Sequence, residues 1–209
     1  MMNEIKAKQL LQTGLQQLGL AVEPHLFMQY LALLAKWNRT YNLTAIRDVN
    51  EMVTKHLLDS LAILPWIQGS RVIDIGAGAG LPGIPLAIAN PNLDIVLLDS
   101  NGKKVSFMQE AKRVLQLDNI KVEQSRVETY RPEHSFDTVM SRAFSNLAQM
   151  INWTKQLIIP SGTWLAMKGR YPEAELQTIN LPYQVKTYSV PGLTGERCCV
   201  IIKNNKTKE

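Results

Sequence analysis

The sequence predicts an α/β fold: a mostly parallel, seven-stranded sheet with an antiparallel last strand, preceded by an N-terminal helical extension. Three observations lead to this prediction. Apolar residues recur at helical spacing from Ile5 to about Leu64. After Gly69 the pattern changes to short β-branched runs separated by helical stretches, which is typical of a parallel sheet covered on both faces. The last two runs are joined by PGLTGE, which indicates a hairpin turn.

The helical extension is predicted to occupy residues 1–66 and to pack on the core of the second region, residues 67–209. Its first helix carries leucines at i, i+4 and i+7 before Gly19, which suits a C-cap. A second helix follows, and a third begins near Asp48 and continues until Pro65 stops it. These apolar stripes indicate core positions rather than ligand contacts.

Seven short runs are the predicted strands. They are RVIDI (71–75), DIVLLD (94–99), IKVEQ (120–124), FDTVMS (136–141), GTWLAMK (162–168), QVKTYSV (184–190) and RCCVIIK (197–203). Helical stretches are expected between the first five, including those that begin at Asn101 and Asn146. A parallel sheet built this way opens its ligand crevice at the carboxyl ends of the strands.

Composition limits the class of protein. The chain has 209 residues, of which 45% are hydrophobic, which suits one globular domain of ordinary size with a small extension. No run of about 18 apolar residues occurs and the N-terminus is charged, so we expect no membrane span, no signal peptide and a cytoplasmic location. No apolar stripe is left over, so a monomer is expected. The net charge of +5 is compatible with an anionic partner without requiring one.

The two cysteines, Cys198 and Cys199, are adjacent within the last predicted strand. A disulfide between neighbours would be strained, and the spacing suits no metal site. Both are therefore interpreted as strand residues, and no metal is expected.

A glycine-rich loop follows the first predicted strand. Gly78, Gly80 and Gly83 match G-x-G-x-x-G, and the acidic Asp99 lies about 20 residues further on, as in the nicotinamide-cofactor fingerprint. Any doubly wound fold that binds a ribose benefits from an acid at the end of its second strand. The match alone therefore does not separate a dinucleotide from another nucleoside ligand.

Three features of this segment favour S-adenosylmethionine over a pyrophosphate. Glycines alternate from Gly76 to Gly80, so the backbone itself can approach a ligand. Asp74 would oppose a pyrophosphate and would favour an ammonium or sulfonium group. Pro82 and Pro85 remove amide donors from the opening turn of the next helix. A methyltransferase is the favoured interpretation of this loop, and a nicotinamide-dependent oxidoreductase is the alternative.

The methyl acceptor is restricted by what the sequence lacks. SRAFSN follows the fourth predicted strand instead of an N-P-P-Y type motif, and both cysteines lie in the last strand. An acceptor with an available lone pair, such as guanine N7, needs no general base. His56, Asp59 and Ser60 lie at i, i+3 and i+4 of one helix, so they do not form a triad. Protein or small-molecule acceptors, and a non-catalytic RNA-binding role, stay open here.

Basic residues cluster at the predicted carboxyl ends of strands or in the loops after them, around the ligand crevice, where an RNA backbone could be held. They are Lys103, Lys104, Arg126, Arg142, Lys168, Arg170 and Arg197. For Lys103 and Lys104, at the start of a helix, a solvated face is the alternative interpretation.

Several segments together resemble a known family, the bacterial small-subunit ribosomal RNA methyltransferase G family, also called glucose-inhibited division protein B. They are KWNRTYNLTAIRDVNEM, KHLLDSLA, DIGAGAGLPGIPLAI, LLDSNGKK, QSRVE, MSRA, MKG and GERCCVIIK, in the order of the family. The resemblance implies an S-adenosylmethionine-dependent methyltransferase fold and methyl transfer to N7 of a guanine in 16S ribosomal RNA. It also implies that free 16S rRNA or a small-subunit assembly intermediate is the partner.

The resemblance further implies a set of site residues. The cofactor-binding residues would be Gly76, Ala77, Gly78, Gly80, Leu81, Asp99, Ser100, Val127, Glu128 and Arg142. The loop would line the methionine part, Asp99 would take the ribose, and Val127 with Glu128 would bound the adenine. Arg142 would lie near the transfer site, with Arg126 and Lys168 contributing RNA contacts or active-site geometry. No residue is expected to act as a catalytic acid or base.

Overall fold

The N-terminal third of the chain is helical in the computed structural model, which describes residues 2–142, 144 and 146–205. Helices α1 (Met2–Gln17) and α2 (His25–Tyr41) are followed by α3 (Val49–Met52), a π-helical segment (Val53–Leu58), α4 (Asp59–Leu61) and a 3-10 turn (Leu64–Trp66). The predicted C-cap is confirmed, because Gly19 has φ +70° at the end of α1.

The third predicted helix begins where expected but is not one continuous α-helix. Asp48 Oδ1 accepts a hydrogen bond from Glu51 N at 3.0 Å and caps α3. The chain then widens into the π-helical segment, in which every residue except Lys55 is buried. This segment is enclosed on nearly all sides, whereas a surface helix leaves one face in solvent. Tertiary packing therefore overrides the regular period here.

The strands are β1 (Arg71–Ile75), β2 (Asp94–Asp99), β3 (Ile120–Gln124), β4 (Phe136–Ser141), β5 (Ile158–Lys168), β6 (Tyr183–Tyr188) and β7 (Arg197–Lys203). In the described part of the chain they form one seven-stranded sheet of order β3-β2-β1-β4-β5-β7-β6. Strands β1 to β5 pair in parallel, and β7 pairs antiparallel with both β5 and β6. The predicted sheet is confirmed, and its antiparallel last strand, β7, lies between β5 and β6.

The remaining helices are α5 (Gly83–Ala89), α6 (Gly102–Leu115), α7 (Leu147–Thr154) and α8 (Glu173–Leu176). The expectation of a helix between each of the first five strands is wrong for the β3–β4 connection. Residues 125–135 there form an isolated turn, in which Arg126 O accepts from the amides of Thr129 and Tyr130. Pro132 and the lack of an apolar stripe leave a helix nothing to pack with.

Both faces of the sheet are covered. Val72 of β1 joins a cluster with apolar residues of α1, α2 and the π-helical segment, while Ile73 and Ile75 point into a second cluster with α7. The N-terminal helices thus share a core with the sheet, and the division at residues 66 and 67 stays a prediction. Within the described chain, no helix is long and apolar enough to cross a membrane.

Candidate functional site

A cleft of about 240 Å³ opens at the carboxyl ends of β1, β2 and β3. Its walls come from the loop after β1, the end of β2, the β3–β4 connection, Phe144 and α7. The lining residues are Gly76, Leu98, Asp99, Ser100, Ser125, Arg126, Val127, Glu128, Phe144 and Trp153. This position is the crevice in which open α/β sheets bind ligands.

The glycine loop presents backbone to the cleft. Gly76 has φ +66°, and a Cβ added there would meet nothing within 4 Å. The amides of Gly76 and Ala77 donate to Leu98 O at 2.8 and 3.1 Å, which ties the loop to β2. A side chain at Gly76 would therefore be strained and would project into the space that a ligand needs.

Asp99 connects this loop to the start of α6. Its Oδ2 accepts from Gly78 N at 2.9 Å, and its Oδ1 accepts from Asn101 N at 2.9 Å. Lys104 Nζ lies 3.8 Å from Oδ2. A carboxylate oxygen can accept two hydrogen bonds, so Asp99 can hold the loop and still receive a ligand hydroxyl.

The structure brings only part of the predicted cofactor set to the cleft. Those that line it are Gly76, Asp99, Ser100, Val127 and Glu128, together with the predicted positioning residue Arg126. The others are not lining residues: Ala77, Gly80 and Leu81 are buried behind the loop, Gly78 is half-buried against Asp99, and Arg142 lies to one side. Of the glycine loop, Gly76 is therefore the residue that faces the cleft, and the buried residues behind it form the turn.

Two aromatic side chains of the cleft were not predicted. Phe144 and Trp153 meet edge to face, with ring centroids 5.7 Å apart and planes at 83°. Trp153 lies on α7, where an aromatic residue in an apolar helix ordinarily indicates core. For Phe144, three residues after the end of β4, the position after a strand end was the available signal. Both rings supply flat apolar surface opposite the polar end of β2, which suits a nucleoside base.

Asp74 has a different role from the predicted one. It is fully buried under the loop, where its Oδ2 accepts from Gly83 N at 2.9 Å and its Oδ1 has no partner in the described chain. Burial raises the pKa of Asp74 to about 7, with the Gly83 amide and Arg142 opposing the rise. Asp74 thus fixes the start of α5 and does not face the cleft.

Replacing Asp74 by Asn is expected to change how stability depends on pH. The folded carboxyl keeps its proton up to about pH 7, whereas the unfolded one loses it near the ordinary value of 3.8. The contribution of the Asp74 carboxyl to the free energy of unfolding therefore falls as pH rises between those values. Asn does not ionise and contributes no such pH dependence. Urea unfolding without cofactor should show the variant gaining on the order of 3 kcal/mol over wild type from pH 4 to pH 8. A constant difference would contradict this pKa.

Arg142 connects the end of β4 to the π-helical segment. Its NH1 donates to Lys55 O at 3.1 Å, lies 3.4 Å from His56 Nδ1 and 3.9 Å from Asp59 Oδ2. Arg197 Nε lies 3.5 Å from Asp59 Oδ1 on the other side, and Tyr188 OH donates to that oxygen at 3.3 Å. This group is a largely buried network of charged and polar side chains, and within it Arg142 joins the end of β4 to the π-helical segment.

His56, Asp59 and Ser60 do not form a hydrolase triad. His56 Nε2 contacts Thr44 Oγ1 at 2.9 Å, and Ser60 Oγ has no hydrogen-bond partner in the described chain. Burial, together with the nearby Arg142 guanidinium, lowers the pKa of His56 to about 4, so the imidazole is neutral near pH 7. These contacts are consistent with the predicted absence of a catalytic triad. The reason lies in tertiary contacts of the side chains rather than in their helical spacing.

Lys168 is held in an ion pair and is not free for RNA. Its Nζ donates to both carboxylate oxygens of Glu175, at 2.9 and 2.8 Å, and to Phe144 O at 3.0 Å. Glu175 Oε2 also accepts from Leu147 N at 2.9 Å, at the start of α7. The Lys168–Glu175 pair therefore contacts both Phe144 and the start of α7.

The other predicted basic residues differ in accessibility. Lys104 turns towards Asp99, whereas Lys103 is exposed beside it. Arg126 is exposed at the cleft, and Arg170 is exposed after β5. Of these four, Lys103, Arg126 and Arg170 are the ones open to solvent and to an anionic partner.

The cysteines supply no nucleophile. Burial raises the pKa of both thiols above the ordinary value, more strongly at Cys199. Cys198 Sγ donates to Arg170 O at 3.3 Å. In the described residues no group of His, Cys, Asp and Glu side chains is arranged to hold a metal ion.

The sheet order, the glycine loop and the acidic end of β2 define the class: a protein with the S-adenosylmethionine-dependent methyltransferase fold. A solved S-adenosylmethionine-dependent methyltransferase from Aquifex aeolicus has this fold, with a TM-score of 0.55 and 18% identity, over 70% of this chain and 90% of that one. The chain belongs to the family described as GidB: rRNA small subunit methyltransferase G, whose model matches residues 24–199.

Two relatives illustrate how closely the chain follows this family. The ribosomal RNA small subunit methyltransferase G of Legionella pneumophila strain Corby is 59% identical over 209 residues, covering 100% of both chains. The protein of the same name from Methylobacillus flagellatus is 48% identical over 199 residues, covering 93% of this chain and 97% of its own. The resemblance found in the sequence motifs is therefore confirmed along the whole chain.

Proposed function

We propose that this protein transfers a methyl group from S-adenosylmethionine to N7 of a guanine in 16S ribosomal RNA. The observation that carries the proposal is the cleft at the carboxyl ends of β1 to β3, in a chain that belongs to a family of small-subunit rRNA methyltransferases. The base-stacking surface, the acidic strand end and the open glycine loop all suit one nucleoside with a charged tail.

The cleft residues fit S-adenosylmethionine. The open space over Gly76 takes the methionine part, because nothing lies within 4 Å of where a Cβ would be. Asp99 accepts from the ribose hydroxyls, and Val127 with Glu128 bounds the adenine. A pyrophosphate is disfavoured, since Gly83 N already donates to Asp74 and Ile84 N to Gly80 O at the start of α5.

When bound, S-adenosylmethionine supplies an electrophilic methyl group on a positively charged sulfur. Guanine N7 would form the new N–CH3 bond with its own lone pair while the S–CH3 bond breaks and S-adenosylhomocysteine leaves as a neutral thioether. No proton is removed in this step, so the chain needs only to orient the base. This agrees with a site in which His56 is buried and held by Thr44 and Arg142, and the thiols stay protonated. Arg142, Arg126 and Lys168 act as positioning residues.

The target guanine is expected outside regular duplex. The major groove of an A-form helix, where N7 points, is too deep and narrow for side chains to reach. The guanine must lie in a loop or be splayed from its stack, in free 16S rRNA or in a small-subunit assembly intermediate. We place the reaction in the cytoplasm and the enzyme as a monomer, with residues 1–66 as a helical extension of the catalytic domain 67–209.

Transfer of labelled methyl to deproteinised 16S rRNA lacking its own N7-methylguanine tests the proposal. Label recovered as N7-methylguanosine after nucleoside analysis is expected, and label in any other nucleoside would overturn the acceptor atom. An oligonucleotide that pairs the target guanine in perfect duplex should abolish transfer. Equal rates with and without the oligonucleotide would contradict the loop requirement.

A further inference from the structure

A second pocket lies next to the cofactor cleft and has no part in the function described so far. Its lining residues are Trp37, Tyr41, Asn101, Gly102, Lys103 and Ser106, and its volume is about 680 Å³. The chain passes directly from Asp99 and Ser100 of the cleft to Asn101 of this pocket. The two spaces are therefore neighbours at the carboxyl end of β2.

The pocket has an aromatic wall that is held in place from behind. Trp37 and Tyr41, one turn apart on α2, have ring centroids 5.2 Å apart. Trp37 also meets the buried Phe107 of α6 edge to face at 5.7 Å. Tyr41, at the end of α2, is 42% exposed, which is high for a large aromatic side chain. The wall is thus rigid on its inner side and open on its outer side.

The charge of the pocket is positive. Lys103 is exposed, and none of the six lining residues is acidic. Lys104, its neighbour, turns away to Asp99 in the cleft. Asn101 Oδ1 accepts from the amides of Lys103 and Lys104, so these α6 amides are already occupied. Lys103 is the cationic side chain among the six lining residues.

We propose that Trp37 and Tyr41 form a stacking platform for a base of the substrate RNA, with Lys103 holding the adjoining phosphate. An aromatic wall beside a lysine is the combination that binds unpaired nucleotides, because every base has a flat face and every link carries a negative charge. The base bound here is one that neighbours the target in the same strand. The inference rests on the proposed function, since it names how that RNA is held.

The test compares the RNA dependence of variants at Tyr41, which is exposed and whose loss leaves the Trp37–Phe107 contact in place. With 16S rRNA as substrate, Tyr41→Leu should raise the KM for RNA about tenfold through loss of stacking. Tyr41→Phe keeps the ring and should behave as wild type. The affinity for S-adenosylmethionine, measured by calorimetry, should be unchanged in both. Tyr183→Leu is the matched control: it is 45% exposed at the opposite edge of the sheet and should have no effect.

An unchanged KM in Tyr41→Leu, or an equal loss in Tyr41→Phe, would overturn the platform. Ultraviolet crosslinking of wild-type protein to 16S rRNA keeps the inference testable if Tyr41→Leu does not fold. Crosslinks that map to residues 37–41 support it, and crosslinks that map only elsewhere refute it. Wild-type protein that crosslinks at the platform but transfers no methyl group would instead refute the proposed function, so the two failures are distinguishable.

Discussion

Replacing Asp99 by alanine is expected to weaken S-adenosylmethionine binding by about 1–3 kcal/mol, a loss of roughly five- to 150-fold in affinity. The carboxylate is the acidic group at the end of β2 in the cleft, and it also holds Gly78 N and Asn101 N at 2.9 Å each. Alanine removes the proposed ribose acceptor and the hydrogen bonds from the carboxylate to Gly78 N and Asn101 N, which join the glycine loop to the start of α6. Both effects act on the cofactor, so the upper part of the range is expected.

Calorimetric titration of S-adenosylmethionine into wild type and variant measures this loss. Asp94→Ala is the matched control, because Asp94 is an exposed aspartate at the opposite end of the same strand. It should bind the cofactor as wild type does. Asp99→Asn keeps one acceptor oxygen and should fall between the two. Wild-type affinity in Asp99→Ala would contradict the placement of the ribose at this carboxylate.

Lys168→Ala is expected to lower the free energy of unfolding by about 2–3 kcal/mol, since it leaves Glu175 half-buried without its cation. The Lys168 side chain is 11% exposed and that of Glu175 is 25% exposed, so the loss is smaller than for a fully enclosed pair. Phe144 O loses its donor as well. Phe144 and the start of α7 should then be held less firmly, and cofactor binding should weaken with them.

Urea unfolding and cofactor titration of the same samples separate stability from positioning. Lys155→Ala removes an exposed lysine whose hydrogen bond stays within its own region, to Asn152, and should change stability by less than about 0.5 kcal/mol. Lys168→Arg keeps the charge and should rescue most of the stability. If Lys168→Ala binds the cofactor as tightly as wild type, Lys168 has no positioning role.

The parts of this fold that the sequence predicts well are those decided by local pattern. All seven strand cores were found, because β-branched runs flanked by turns are visible without knowing their neighbours. The glycine loop and Asp99 were found for a similar reason, since their spacing is set by one β-strand, turn and helix. The helix expected between β3 and β4 shows the limit of prediction from local pattern. The alternation of strands and helices was extended to a connection whose residues form no apolar face.

Burial was the main source of error within the site. Asp74 was interpreted from its place before the glycines as a partner for positive charge, but it lies beneath the loop with a raised pKa. Phe144 and Trp153 line the cleft although an aromatic residue near a helix usually indicates core. The sequence does not predict that Lys168 pairs with Glu175, because an ion pair depends on the three-dimensional positions of both side chains.

The sequence by itself determined the order of the elements, the antiparallel last strand, the glycine loop and the family, because each is written in residues close together in the chain. Only the tertiary structure decided that β7 lies between β5 and β6 and that residues 53–58 form a π-helix. It also decided that Trp37 and Tyr41 line a pocket beside the cleft. Those features depend on which distant surfaces meet. Contacts between residues far apart in the chain, unlike local propensities, are settled only when the core closes.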